Sequence, residues 1–149
     1  MGSGDAVRWL HIEMKTEKGR PNFRFGVGLR IKDAPFLHGE ITETLGQPTE
    51  CHVAGEAVWN NPERHWPNDI WLIDSPLGDE KDINEHLAWL ADFIRPHHAR
   101  LAEWRSRGAH IDVYMYYDCD EEHRGFGLRP DAISLLAALG VPLEVSVMR

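Results

Sequence analysis

Residues 82–104, DINEHLAWLADFIRPHHARLAEW, contain the longest helical pattern in the sequence and set its fold class. Apolar residues recur there at spacings of three, four or seven, which predicts a helix with one buried stripe. The stripe consists of Ile83, Leu87, Leu90, Ile94, Leu101 and Trp104. Because Pro96 cannot donate a backbone hydrogen bond to the carbonyl of Asp92, the helix is expected to kink or restart there. The segment is therefore predicted to be the main core helix, broken near Pro96.

Apolar runs on both sides of this helix predict the strands of a sheet. They are WLHIEMK (9–15), FRFGVGLRI (23–31), TECHVAGE (49–56), IWLID (70–74), HIDVYMYY (110–117) and PLEVSVM (142–148). Between the third and fourth runs, residues 57–69 contain Asn-Asn-Pro, Trp-Pro and Asn-Asp. These turn-forming residues predict a long irregular loop, and loops of this length often carry function.

Two short helices are expected at HGEITETLG (38–46) and RPDAISLLAALG (129–140). Each ends at a glycine, which can adopt the left-handed conformation that terminates a helix. The stretches around these glycines, EITETLGQPTECHV (40–53) and SLLAALGVPLEVSV (134–147), superpose without gaps. The match indicates either two related strand–helix–strand units or a coincidence at a short Leu-Gly-x-Pro helix stop.

The sequences GVGLR (26–30) and GFGLR (125–129) precede the two short helices at slightly different distances. Short helices that cross between strands cover one face of a sheet. The predicted fold class is α+β, a single domain with a mainly antiparallel or mixed sheet, one long kinked helix and two short helices. The chain length fits one compact domain. Residues 6–149 are expected to form it, after a disordered N-terminus or cloning remnant at residues 1–5.

The composition narrows the classes of partner and compartment. The chain carries 24 acidic and 16 basic residues, a formal net charge of −8, which repels a phosphate backbone and disfavours nucleic-acid binding. No apolar run approaches the roughly 20 residues that a membrane-spanning helix needs, and the start of the chain has no secretory pattern. A cytoplasmic protein without membrane contact is therefore expected, with Cys51 and Cys119 as reduced thiols.

Several of these pieces, taken in order, resemble one protein family across residues 25–147. The pieces are LRI (29–31), EITETLGQPTE (40–50), AGE (54–56), IWLIDSP (70–76), HLAWLADFIRP (86–96) and FGLRPDAISLLAALGVPLEVSV (126–147). They are similar to the bacterial domain-of-unknown-function family 4279. The resemblance implies the fold and a bacterial origin, and it carries over no catalytic or binding residue.

Metal-binding and catalytic patterns are incomplete in this sequence. His86 and His97 lie on nearly the same side of the predicted helix, but at 1.5 Å per residue they are roughly 16 Å apart, too far for one metal ion. In the acidic segment, Asp118, Asp120 and Glu122 occupy alternate positions, as the oxygen ligands of a calcium-binding loop do. The last ligand position of such a loop, however, is occupied by Arg129. Cys51 and His52 are neighbours on a strand, so they point to opposite faces and make no dyad. No catalytic residue, metal site or cofactor is predicted, and His86 is interpreted as a buried histidine hydrogen-bonded to a nearby strand.

The strongest candidate for a functional site is a partner-binding surface. Tryptophan and arginine are enriched in binding hot spots, and the loop at residues 57–69 contains both. The candidate partner-binding residues are Trp59, Asn60, Arg64, His65 and Trp66 of this loop, and Asp118, Asp120, Glu121 and Glu122 of an acidic turn suited to a basic partner. The alternative is that the indoles of the loop pack down and cover the sheet.

These features favour a non-enzymatic protein-binding domain with an unidentified protein partner, and an immunity-type inhibitor of a toxin is the more specific hypothesis. The alternative is a metal-dependent enzyme or small-molecule binder. That alternative requires the fold to bring together His65, His86, Asp118, Asp120 and His123. A third hypothesis uses the sheet as a homodimer surface, so the protein is expected to be either a monomer or a homodimer.

Overall fold

The structure, a computed structural model, describes residues 23–119 and 125–148. Its elements in chain order are β1 (Phe23–Lys32), α1 (His38–Leu45), β2 (Glu50–His52), β3 (Ala57–Val58), β4 (Asn61–His65), β5 (Ile70–Asp74), α2 (Ile83–Ile94), α3 (His98–Ser106), β6 (His110–Cys119), α4 (Pro130–Leu139) and β7 (Leu143–Met148). Short 3-10 turns at Pro35–Leu37 and Arg95–His97 precede α1 and α3. The strand expected at residues 9–15 and the N-terminal remnant expected at residues 1–5 lie outside the described residues.

Five of the strands form one mixed sheet in the order β2-β5-β1-β6-β7. Strand β1 pairs antiparallel with β5 and β6, β2 pairs antiparallel with β5, and β7 pairs parallel with β6. The predicted α+β class, with one domain and a mixed sheet, is confirmed. Within the described ranges, no helix is both long enough and apolar enough to cross a membrane.

One hydrophobic core joins the four helices to one face of the sheet. That face is built from alternate residues of the two central strands. They are Phe25, Val27, Leu29, Ile31, Ile111, Val113, Met115 and Tyr117. The whole apolar stripe predicted for the long helix is buried in the same core. Since burial of one such aliphatic side chain contributes about 1.5–3 kcal/mol, the stripe holds α2 and α3 on the sheet.

The helix predicted at residues 82–104 is interrupted where the sequence indicated. At its start, the Asp82 side chain accepts the backbone N–H of Asn84, and the Glu85 side chain accepts the N–H of Asp82. This capping box satisfies donors that a helix terminus otherwise leaves unpaired. After α2 the chain forms a 3-10 turn that contains Pro96 and then continues as α3. The predicted break near this proline is confirmed.

Both short helices end as predicted and return the chain to an outer strand of the sheet. Helix α1 ends at Leu45, before Gly46 with φ 94°, and α4 ends at Leu139, before Gly140 with φ 63°. The strands that follow, β2 and β7, are the two outer strands. In each unit the two strands run in the same direction. Strand β7 lies directly beside β6, whereas β5 lies between β1 and β2.

The irregular loop expected at residues 57–69 is a wrong prediction. Strands β3 and β4 pair there as an antiparallel hairpin, separate from the main sheet. The register of this pair shifts within β3, and β4 contains Pro62, so the alternation that normally indicates a strand is missing. The strand predicted at residues 49–56 is also shorter, Glu50–His52, because the chain leaves the sheet to enter the hairpin.

Candidate functional site

Most of the predicted loop residues lie on the surface of the β3–β4 hairpin. Trp59 and Asn60 form the turn between the two strands, and 52% of Trp59 is exposed. Every residue of β4 is exposed, including Arg64 and His65. The structure therefore brings these four candidate partner-binding residues together on one projecting element.

Trp66 has a different position, at the base of the hairpin. Its ring stacks on the imidazole of His52 in β2, with centroids 4.0 Å apart and planes 6° from parallel. The Trp66 N–H donates to the Glu56 carbonyl at 2.9 Å, and its carbonyl accepts the Gly55 N–H at 2.8 Å. His52 Nε2 lies 3.1 Å from Glu50 Oε1, which fixes the imidazole from the other side. Trp66 thus anchors the hairpin to the edge of the sheet.

The remaining tryptophan of this region, Trp71, belongs to the core. It is fully buried in β5, and its indole N–H donates to Thr42 Oγ1 of α1 at 3.0 Å. The alternative in which the indoles cover the sheet therefore holds for Trp71 and for the anchoring Trp66. It does not hold for Trp59, whose indole faces solvent.

Asp118, the described member of the acidic turn, lies at the opposite end of the sheet from the hairpin. Asp118 stands opposite Arg24 at the start of β1 and forms an ion pair with it. The hairpin connects β2 to β5 near Trp71, which pairs with Ile31 at the end of β1. At about 3.3 Å per residue, the seven residues between these positions on β1 span roughly 23 Å. Asp118 is therefore remote from the hairpin, and residues 120–122 lie outside the described part of the chain.

Three polar residues that the sequence did not predict to lie together meet beside the base of the hairpin. His38 is the first residue of α1, Cys51 lies in β2, and Asp69 immediately precedes β5. The Cys51 Sγ is 3.3 Å from His38 Nδ1. On the other side of the ring, His38 Nε2 is 3.4 Å from Asp69 Oδ2. We call these three residues the thiol array.

The Asp69 carboxylate of the thiol array is held in place by the backbone. Its Oδ1 accepts the N–H of Asp33 at 3.0 Å, and its Oδ2 accepts the N–H of Ala34 at 3.1 Å. Asp33 has φ 62°, a left-handed conformation that is uncommon for a residue other than glycine. Asp69 is only 7% exposed, so the donated hydrogen bonds offset the cost of burying its charge.

The surroundings of Cys51 keep its sulfur protonated. Burial raises the pKa of the Cys51 thiol, and the negative charges of Glu56, Asp69 and Glu50 raise it further. The side chain is half-buried, and neither Cys51 nor Cys119 forms a disulfide. A thiol in this state is a weak nucleophile unless a neighbouring base removes its proton during the reaction.

The sequence missed the thiol array because its members are 13 and 18 residues apart. The rejection of a Cys51–His52 dyad agrees with the structure, since Cys51 faces α1 while His52 faces Trp66 on the other side of β2. The only sequence signal was the placement of His38 at the start of a helix that crosses to the strand of Cys51. Asp69 had no such signal, because its position depends on which strand inserts beside β2.

The residues required by the metal-dependent alternative lie in different parts of the molecule. His65 is on the exposed hairpin, His86 is buried in α2, and Asp118 is on the face of the sheet opposite the helices. Asp120 and His123 lie outside the described residues. Among residues 23–119 and 125–148, no group of three or more His, Cys, Asp or Glu side chains could hold a metal ion.

His86 has the structural position that the sequence indicated. It is 1% exposed, and its Nδ1 is 2.9 Å from the hydroxyl of Ser75, which directly follows β5. Burial lowers the pKa of His86, although the Gly78 carbonyl and nearby carboxylates act in the opposite direction. The interpretation of a buried histidine tied to a strand is confirmed.

No curated protein and no solved structure matches this chain. A family model described as Domain of unknown function (DUF4279) matches residues 22–148. The matched range contains the whole sheet, the hairpin and the thiol array. The chain therefore belongs to the DUF4279 family.

Proposed function

We propose that this protein is a protein-binding domain whose contact surface is centred on the β3–β4 hairpin. The observation that carries the proposal is the position of Trp59, half-exposed at the turn of a hairpin that projects from the main sheet. An exposed indole supplies a large apolar contact area, and tryptophan is among the residues most enriched in binding hot spots.

The construction of the hairpin supports this use. Its base is held by the stacking of Trp66 on His52 and by two backbone hydrogen bonds. A contact surface that is fixed before binding loses less conformational entropy when a partner arrives. Around Trp59, the polar side chains of Asn60, Arg64 and His65 are exposed, which gives an apolar centre with a polar rim.

Charge favours a basic partner. The net charge of −8 attracts a positively charged protein at long range and accelerates its association. Asp118, Asp120, Glu121 and Glu122 form a second, acidic contact in this proposal. Because Asp118 is already paired with Arg24, we assign most of that contribution to residues 120–122.

Within this class, we propose a bacterial, cytoplasmic, immunity-type inhibitor that binds a toxin. The supporting features are a small acidic domain, a projecting Trp-containing hairpin and a sequence without a recognised catalytic motif. Such an inhibitor needs one stable protein complex and no turnover. A neighbouring gene that encodes a large toxin-like protein would identify the partner to test first.

The experiment is co-expression of the tagged chain with the products of its neighbouring genes, followed by affinity capture and measurement of Kd. We expect a stoichiometric complex that Trp59→Ala weakens roughly 30-fold or more, the effect of losing a hot spot of about 2 kcal/mol. The matched control is Ile133→Ala, which removes a similarly exposed apolar side chain from α4 and should leave Kd unchanged. No stoichiometric partner, or equal Kd for both variants, would contradict the proposal.

Self-association is the competing use of an exposed apolar hairpin. Light scattering over a concentration series distinguishes the two. A monomer throughout supports a different protein as the partner. A dimer that Trp59→Ala dissociates would assign the hairpin to a homodimer interface and remove the heterologous partner from the proposal.

A further inference from the structure

The thiol array has the order of groups that a base-assisted nucleophile needs. The thiol of Cys51 contacts one nitrogen of the His38 ring, and the carboxylate of Asp69 lies beside the other nitrogen. In such an arrangement the imidazole accepts the thiol proton, and the carboxylate stabilises the resulting positive charge. The Nε2–Oδ2 contact of 3.4 Å is not yet aligned as a hydrogen bond. Catalytic contacts are often loose before a substrate binds.

The second strand–helix–strand unit shows that the fold does not require polar groups at these positions. Counted from the leucines that end the helices, His38 corresponds to Ala132, and in the gap-free superposition Cys51 corresponds to Val145. Ala132 is buried in the core, and Val145 lies on an outer strand as Cys51 does. The same structural roles are therefore filled by two apolar residues in one unit and by a thiol and an imidazole in the other.

The array also carries signs of a constrained site. Asp69 is oriented by two backbone N–H donors, and one of them belongs to Asp33, whose backbone is left-handed. Conformations of this kind concentrate at functional sites, where the surrounding structure enforces them. Cys51 is half-buried rather than sealed, so a small reagent can reach its sulfur.

The charge near the sulfur selects the class of substrate. Glu56, Asp69 and Glu50 create a negative potential at Cys51. This potential repels anionic substrates and disfavours a resting thiolate. A neutral electrophile carries no such penalty, provided that His38 removes the thiol proton during the attack.

We propose that Cys51 is a nucleophile that accepts an acyl group from a small uncharged ester or thioester, with His38 as its general base and Asp69 as the residue that positions His38. The Cys51 proton moves to His38 Nδ1 while a bond forms between Sγ and the acyl carbon. The bond from that carbon to the leaving alkoxide or thiolate breaks, and His38 returns the proton to the leaving group. The products are S-acyl-Cys51 and an alcohol or thiol. Attack by water on the acyl carbon then breaks its bond to Sγ, releases the carboxylic acid and returns the proton to the Cys51 thiol.

The first test uses purified full-length protein and p-nitrophenyl acetate, a neutral ester whose release of nitrophenolate is measured directly. Peptide mass spectrometry compares acetylation of Cys51 with that of Cys119, a half-buried thiol on β6 in the same molecule. We expect Cys51 to be acetylated at least roughly tenfold faster at pH 7.5, since general-base assistance is worth about 10²–10⁴-fold and offsets its burial. Equal or slower acetylation of Cys51 would overturn the proposal.

The dependence of Cys51 acetylation on pH is a second test, and it can be measured on the wild-type protein. A thiol without assistance reacts about tenfold faster for each pH unit below its pKa, since only the thiolate reacts. Assistance by a neutral imidazole instead gives a rate that does not rise with pH, because the base removes the thiol proton during the attack. Between pH 7.5 and 8.5 we therefore expect an almost constant rate for Cys51. A tenfold rise over this interval would show unassisted chemistry and refute the role of His38.

Variants separate the roles of the two other members. His38→Gln should slow acetylation of Cys51 at least roughly 100-fold, and Asp69→Asn at least roughly tenfold, without changing the rate at Cys119. If Asp69 were only structural, its loss would loosen the site, expose Cys51 and accelerate its reaction. The sign of the change therefore decides between positioning and structural roles. Cys119→Ser is the control and should leave the Cys51 rate unchanged.

This inference is independent of the protein-binding proposal, because it is measured on the isolated chain with a small molecule. Trp59→Ala should weaken partner binding and leave acetylation of Cys51 unchanged. His38→Gln should slow acetylation of Cys51 and leave partner binding unchanged. Failure of either proposal can therefore be recognised without reference to the other.

Discussion

The two strand–helix–strand units share a helix stop and a return to an outer strand, but they differ in what lies between their strands. In the unit β6–α4–β7 the two strands are neighbours, and the positions that match His38 and Cys51 hold alanine and valine. In the unit β1–α1–β2 the strand β5 is inserted, preceded by the hairpin and by Asp69. The insertion thus supplies the hairpin and the Asp69 member of the thiol array. In both of our proposals the central functional residues therefore belong to the first unit and its insertion, whereas the second unit serves the fold.

The largest expected effect comes from the matching glycines of GVGLR and GFGLR, Gly28 and Gly127. A methyl group at Gly28 would lie 2.9 Å from the Ile73 carbonyl oxygen and 2.9 Å from Leu72 Cδ1, whereas one at Gly127 would meet nothing within 4 Å. Gly28→Ala should lower the free energy of unfolding by about 1–3 kcal/mol, because β5 must shift to admit it. Gly127→Ala should change it by less than about 0.5 kcal/mol. Urea denaturation of both variants is the measurement, and equal stabilities would deny that β5 packs closely on β1.

A comparable loss is expected where the first helix contacts α3. Glu40 accepts the indole N–H of the fully buried Trp104 at 2.6 Å, and this bond lowers the pKa of Glu40. The matching position in the second unit is the exposed Ser134. Glu40→Ala removes the acceptor of the Trp104 indole N–H, so the variant should unfold at a lower temperature than the wild type. Ser134→Ala should be nearly neutral, and thermal unfolding of the two variants provides the comparison.

A smaller effect is the dependence of stability on pH that comes from His86, which contacts Ser75 directly after β5. The pKa of His86 in the folded state lies below its ordinary value of 6.5, so the unfolded chain takes up the proton first as the pH falls. The contribution of His86 is therefore constant above about pH 6.5 and is lost progressively below it. Urea unfolding at pH 7.5, 6.5 and 5.5 should show a steeper decline for the wild type than for His86→Gln. The exposed His98→Gln should follow the wild type.

The smallest expected effect on stability comes from a double variant that gives the first unit the residues of the second. The double variant His38→Ala with Cys51→Val copies the second unit into the first. Replacing both partners of a buried polar contact by apolar groups can be nearly neutral, so the free energy of unfolding should change by less than about 1 kcal/mol. Acetylation by p-nitrophenyl acetate should fall to the rate at Cys119. A large loss of stability would show that the thiol array is needed for folding.

Part of this fold could be predicted from the sequence alone. The stripe from Ile83 to Trp104, the break near Pro96 and the glycine stops were all predictable, because each depends on neighbours within one or two helical turns. The hairpin was missed because Pro62 and a register shift remove the periodicity that indicates strands. Trp59 and Arg64, predicted as partner-binding residues, are exposed on the hairpin, since they belong to a segment with no core-facing pattern. Their role in binding stays a prediction.

The sequence by itself determined the helices, the strands of the main sheet and the faces that they bury, since periodicity and helix caps act over a few residues, but it did not determine the hairpin. Only the tertiary structure decided that β5 lies between β1 and β2. That placement brings Asp69 to one nitrogen of the His38 ring, while Cys51 of β2 contacts the other nitrogen, although the three are far apart in the chain. The tertiary structure also places Asp118 at the other end of the sheet from the hairpin. Strand order is a property of the whole core, because it depends on which buried faces pack together rather than on any local pattern.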